Sequence, residues 1–214
     1  MIQAKVGTRL KREYRKLQVH TTLDYGATVP MAQYSVFDNF GTLREVMQVR
    51  FPQDGQPELH HFVGDSKIPN PTFESDQLIE GLQFGWNELS LAFLWWPNAK
   101  TIDRGYTKAR QTFIVDIPVP GEVKLPYQKI RVHIDQREKF IYKAIAYHEQ
   151  NGPIREIEAN RLMKIDNLWM VKDIEIKAWP GPIKTVVTVE DVKRNEQSLP
   201  LHESQPVPES PPGE

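Results

Sequence analysis

Residues 139–192, KFIYKAIAYHEQNGPIREIEANRLMKIDNLWMVKDIEIKAWPGPIKTVVTVEDV, decide the fold class of this chain. Three turn signals divide them. Asn151-Gly152 and Asp166-Asn167 suit two-residue hairpin turns, and Pro180-Gly181 centres a third. Between the turns, apolar and polar residues alternate with the period of two that puts successive strand side chains on opposite faces. Centring the first turn on Asn151-Gly152 sets Ala146 opposite Ile157, Ala144 opposite Ala159, Tyr142 opposite Arg161 and Phe140 opposite Met163. The second turn pairs Ile157 with Ile176, Ala159 with Ile174 and Met163 with Met170, and the third sets Ile174 against Val187 and Ile176 against Thr185. All these pairs, continued by Val189, fall on one face, so a four-stranded meander with one dry side is expected.

The other face carries Lys143, Glu156, Glu158, Asn160, Asp173, Glu175, Lys184 and Glu190, with Ile141, Ile145 and Trp169 among them. Two features of this register bear on chemistry. Glu158 lies opposite Glu175, a carboxylate pair of the kind that hydrolyses glycosides, but Lys177 falls opposite Glu156 and charged outer faces of strands are ordinary. On the dry face Arg161 falls opposite Lys172 and beside Tyr142. Those two cations either snorkel to the rim of a packed core or hold an anionic head group at the mouth of a cavity.

Working towards the N-terminus, strands are expected near 127–135, 110–117 and 100–107, which gives seven consecutive strands sharing one apolar face. Such a sheet must stack on a second layer or curl around something apolar. Residues 85–96, GWNELSLAFLWW, supply it: Trp86, Leu89 and Phe93 follow helical spacing, Gly85 stands at the cap and Pro97 closes the end. Positions 89–96 carry no charge, so a helix there leaves Leu94, Trp95 and Trp96 on a second apolar face. Before it, alternation marks strands at 17–25, 33–38, 43–51 and 59–63, and residues 2–17 fit a strand better than the helical stripe they also permit. The fold class expected is mainly β: an incomplete antiparallel barrel of about 10–11 strands with a short helical lid or plug.

Composition sets the remaining bounds. With 39% hydrophobic residues, 5 Trp, 7 Tyr and 9 Phe, the chain can bury a core or line a cavity. A formal net charge of -1 with mixed signs provides no field to gather nucleic acid. No cysteine is present, which removes disulfides, thiolate metal sites and cysteine nucleophiles. No apolar run reaches the roughly 18 residues of a membrane span, and the charged N-terminal stretch MIQAKVGTRLKREYRKLQ has no export-signal core. Either the chain is cytosolic or a signal preceded it. Neighbouring His60 and His61 would point to opposite faces of a strand and so share no metal. No nucleophile elbow, zinc-protease helix or phosphate-cradling glycine loop occurs, so neither catalysis nor cofactor is expected. From Gln197 the chain is rich in Pro and Glu without Lys or Arg, so we expect one folded domain over 1–196 and a disordered tail over 197–214.

The segments GLQFGWNELSLAFLWWPN (81–98), YQKIRVHIDQREKFIYKAIAYHEQNG (127–152) and LMKIDNLWMVKDIEIK (162–177) resemble the outer-membrane lipoprotein-sorting, LolA-like proteins. The similarity runs roughly from Tyr34 to Asn195, and its most specific pieces are Phe93 to Pro97 and the turn at 166–170. The resemblance implies an unclosed barrel, a periplasmic location and an apolar cavity for acyl chains of lipoproteins or lipids, in a carrier or in a sensor of the same fold with an inner- or outer-membrane partner protein. On that reading Phe140, Tyr142, Ala144, Ala146, Ile157, Ala159, Met163, Met170, Ile174, Ile176, Val187 and Val189 line the cavity. Trp86, Leu89, Phe93, Leu94, Trp95 and Trp96 form the lid, and Arg161 and Lys172 are the candidate head-group contacts.

Overall fold

A computed structural model describes residues 2–10, 13–24, 26–53, 55–80, 82, 84–165, 168–181 and 184–192, with side chains described from Leu17 onward except those of Ile165, Leu168 and Asp191. The proposed tail over 197–214 lies outside these residues. Twelve strands form one antiparallel sheet: β1 (Ile2–Leu10), β2 (Glu13–Asp24), β3 (Met31–Phe37), β4 (Leu43–Arg50), β5 (Glu58–Val63), β6 (Lys100–Thr107), β7 (Arg110–Pro118), β8 (Lys129–Asp135), β9 (Ile141–His148), β10 (Gly152–Ile165), β11 (Leu168–Ala178) and β12 (Lys184–Val192). Their order is β5-β4-β3-β2-β1-β12-β11-β10-β9-β8-β7-β6, so two consecutive meanders are joined where β1 pairs with β12. β5 and β6 remain as edges, and the sheet is not a closed barrel. Twelve strands stand against the expected 10–11, and the first turn lies elsewhere than expected: residues 2–17, read as one strand, hold β1 and the start of β2, paired as a hairpin from Ile2↔Thr21 to Leu10↔Glu13. No Gly, Pro, Asn or Asp stands between Thr8 and Lys16 to signal that turn.

The dry face carries the fold. On β3 the buried residues are Ala32, Tyr34 and Val36, on β4 Met47 and Val49, on β8 Ile130 and Val132, on β9 Tyr142, Ala144 and Ala146. Residues from β2, β3, β4, β11 and β12 converge on Trp86, while residues from β7, β8 and β9 converge on Phe93 and Trp96. Ile157 of β10 packs against both groups. The sheet therefore curls around the segment between β5 and β6, which fills its concave side.

That segment is not the single helix expected over 85–96. It is one α-helical turn, α1 (Trp86–Leu89), followed by a 3-10 turn at Ala92–Trp95. Leu91 separates them in the left-handed region with φ 55°, and the Ser90 hydroxyl donates back to the Trp86 carbonyl at 2.7 Å. The break lets one short segment bury Trp86 to one side and Phe93 and Trp96 to the other, which a straight helix with its single stripe would not do. Gly85 caps α1 as expected: its N–H donates to the Glu88 carboxylate at 3.0 Å, and a Cβ there would sit 3.1 Å from the Gln77 carbonyl oxygen.

Candidate functional site

The candidate site is the concave face together with the plug that occupies it. Of the residues assigned to the lining, Tyr142, Ala144, Ala146, Ala159, Ile176, Val187 and Val189 are buried, and Phe140, Ile157, Met163, Met170 and Ile174 are half-buried. Among the lid residues Trp86, Phe93 and Trp96 are buried and Leu89 is half-buried. Leu94 and Trp95 stay at the rim, 38% and 42% exposed, with Trp95 stacked on Phe51 at 4.3 Å between ring centroids. Ala144 and Ala146 on β9 leave the room that Phe93 and Trp96 take up. The void bounded by Glu88, Ile130, Ala144, Ala146, Arg155 and Ile157 is only about large enough for one water molecule.

Two of the three hairpin registers are as expected. Ile157↔Ile176, Ala159↔Ile174 and Met163↔Met170 align across β10 and β11, and Ile174↔Val187 and Ile176↔Thr185 across β11 and β12. The first is displaced: Ile157 pairs with Ala144 and Ala146 with Arg155, because the chain turns through Glu149–Asn151 ahead of Gly152 (φ 71°) and is irregular between Pro153 and Arg155. A shift of two residues keeps every side chain on its face, so Ala144, Ala146 and Ile157 remain on the side packed against the plug.

Arg161 requires a second correction. Irregularities on both sides of it align it with Asp173, so it does not face Lys172 on the dry side. Its guanidinium is largely exposed and donates to the Asp173 carboxylate, which holds that carboxyl below its usual range despite burial. Arg161 is thus not a head-group contact inside a cavity.

Polar contacts to the plug were not anticipated. Glu88 of α1, 3% exposed, pairs with the Arg155 guanidinium of β10, itself 11% exposed. Arg155 shares the inward parity of Ile157 and Ala159, the one signal that could have revealed it. Tyr127 lies beside this pair, and burial first and the Glu88 charge second hold its hydroxyl well above the ordinary range. At the far side of the plug, buried His61 meets the Glu45 carboxylate at 2.9 Å, and the Glu80 N–H donates to the other Glu45 oxygen at 2.8 Å. The His61 ring lies against Phe73 and Trp86. His60, by contrast, is 3.7 Å from Glu58. The plug is therefore tied to the sheet at two points, Glu88–Arg155 and the loop contact through Glu45.

The Glu158–Glu175 pair exists as aligned, within an ion-pair network. Lys177 reaches Glu156 at 3.1 Å, Glu175 at 3.3 Å and Glu158 at 3.6 Å, while Lys143 holds Glu156, Lys184 holds Glu175 and Lys108 holds Glu158. Burial acts against ionisation of Glu156 and Glu175, yet hydrogen bonds from these lysines outweigh it and hold both carboxyls below the usual value. Neither is kept protonated, as a general acid must be. Burial likewise opposes the Lys177 charge, and bonds to Glu156 and Glu175 win, raising it to about 12. A depressed carboxyl stabilises the fold above its unfolded pKa and loses that contribution as pH falls through the folded value. Thermal stability should therefore fall on acidification below about pH 4.5. Lys177 acts with the opposite sign, its contribution complete below 10.5 and lost as pH rises through about 12. In a Lys177→Met variant the acid limb of a melting-temperature profile should be shallower; an unchanged limb would mean the network contributes nothing.

A protein-family model described as "Uncharacterized protein" matches residues 96–200. No curated protein matches the chain. Among solved structures, a DUF1329 family protein from Desulfovibrio piger ATCC 29098 is similar at a TM-score of 0.72 and 8% identity, over 92% of this chain and 86% of that one. An outer membrane lipoprotein-sorting protein domain from Vibrio parahaemolyticus follows at 0.70 and 10%, over 93% and 86%. A LolA superfamily protein from Nitrosomonas europaea superposes at 0.59 and 14%, over 93% and 86%. The fold is LolA-like. At these identities the likeness is one of architecture, so the function must be argued from the site. Among the described residues no helix is long and apolar enough to cross a membrane.

Proposed function

We propose that the protein is a non-enzymatic binding protein of the bacterial envelope, acting in the periplasm, which shelters acyl chains of lipoproteins or lipids against the concave face in the place now held by the plug. The observation that carries this reading is the plug itself: an apolar face spanning both meanders is covered by one short segment of its own chain, fixed by two buried polar ties. Magnitudes favour a reversible exchange. An acyl chain burying about ten methylenes gains about 8 kcal/mol, and exposing Trp86, Phe93 and Trp96 costs about 1.5–3 kcal/mol each. The two are of similar size, so a ligand can displace the plug and the plug can displace a ligand. The LolA-like architecture agrees with this role.

Native mass spectrometry of the protein purified from its host, followed by organic extraction, tests the reading. A stoichiometric acylated ligand is expected. A ligand-free mass that stays ligand-free with added fatty acid would sink it.

A further inference from the structure

The β10–β11 hairpin extends beyond the sheet. β9 pairs with β10 only as far as Glu158, and β12 pairs with β11 only from Asp173. Past those points Arg161 to Ile165 and Leu168 to Asp173 pair with each other. Lys108, from the β6–β7 turn, donates to the Ala159 carbonyl at 2.6 Å and ends the lateral support. A two-stranded ribbon has no third layer to bury its side chains, and alone in water it is marginally stable.

This ribbon is nevertheless apolar on both faces. Met163↔Met170 alternate with Leu162↔Val171, and Trp169, opposite Lys164, is 53% exposed. Between residues 160 and 172 there are three cations, Arg161, Lys164 and Lys172, and one carboxylate, Asp166. Arg161 is paired with Asp173, but Lys164 and Lys172 have no ion pair among the described residues, and Lys164 lies 5.9 Å from the Trp169 ring centroid. Strand directions place the β2–β3 connection at the same end of the sheet, with Leu23 and Val29 about 40% exposed.

A tryptophan among apolar residues flanked by cations that meet no carboxylate among the described residues is the composition that settles at a bilayer surface: the ring takes the headgroup level and the lysines meet lipid phosphates. A protein strand added to the ribbon would use its backbone edge and would not need the cations. We infer that the projecting β10–β11 ribbon is a docking arm for anionic membrane surfaces, with Trp169 entering the interface and Lys164 and Lys172 holding phosphate headgroups. The inference does not depend on acyl binding at the concave face.

Flotation of the full chain with phosphatidylethanolamine–phosphatidylglycerol vesicles tests it, with phosphatidylcholine vesicles as the reference. Binding to the anionic vesicles is expected, weakened by salt. At about 1 kcal/mol per surface lysine, Lys164→Gln/Lys172→Gln should weaken it by roughly 25-fold. Trp169→Ser should weaken binding to both vesicle types while leaving the melting temperature and fatty-acid binding in solution unchanged. Failure of the native chain to float with anionic vesicles would overturn the inference, as would equal flotation of the variants. Self-association abolished by Trp169→Ser, without flotation, would overturn it in favour of a second copy of the chain.

Discussion

An Arg155→Ala variant should lose about 3–5 kcal/mol of stability, the usual result of removing one partner from a buried ion pair. Glu88 is nearly inaccessible and its charge has no water to return to. Its second oxygen already accepts the Gly85 N–H, so the carboxylate cannot leave without uncapping α1. For a domain of this size the loss corresponds to roughly 6–20 °C in melting temperature. The isosteric Glu88→Gln/Arg155→Met double variant should recover most of it, because a buried pair replaced whole by groups of similar volume is close to neutral. An Arg155→Ala protein that melts within a degree of the native one would show that the pair does not hold the plug.

Trp86→Ala should cost a similar amount, about 3–5 kcal/mol, by the different route of leaving a cavity. Trp86 is fully buried between the β2–β4 side of the sheet and Ile176 and Val187, with His61 at 6.1 Å. The space it vacates opens onto the concave face, and less plug must then be displaced by a ligand. Affinity for a fluorescent fatty acid should rise even as stability falls. Weaker or unchanged binding in a folded Trp86→Ala protein would mean the plug does not compete with ligand.

The two effects also mark what could be read from the sequence. Strands β6 to β12 and their dry face were legible because period-two alternation is long and interrupted by recognisable turns. The face of Ile157, Ala144 and Ile176 survived even the two-residue misalignment of β9 on β10. Arg161 did not survive, since an irregularity in the ladder has no mark in a run of ordinary residues such as Ala159-Asn160-Arg161. The plug was recognisable from its uncharged run, but its break at Leu91 was not, because nothing in Leu89-Ser90-Leu91 forbids continuing a helix. Glu88–Arg155 was missed for a third reason: it joins residues far apart in the chain, and only the curl of the sheet brings them together. Glu45–His61 lies diagonally across the β4–β5 ladder, a pairing whose register no turn signal in the sequence had set.

Photolabelling decides whether the concave face receives an acyl chain where the plug now lies. A fatty acid bearing a diazirine near its methyl end, irradiated with the native protein and mapped by peptide mass spectrometry, should label Ala144, Ala146, Ile157 and Ile176, and Trp86 or Phe93 of the plug. Label confined to exposed positions such as Ile102, Tyr106 or Phe40, with none on the concave face, would show that the acyl chain does not enter there.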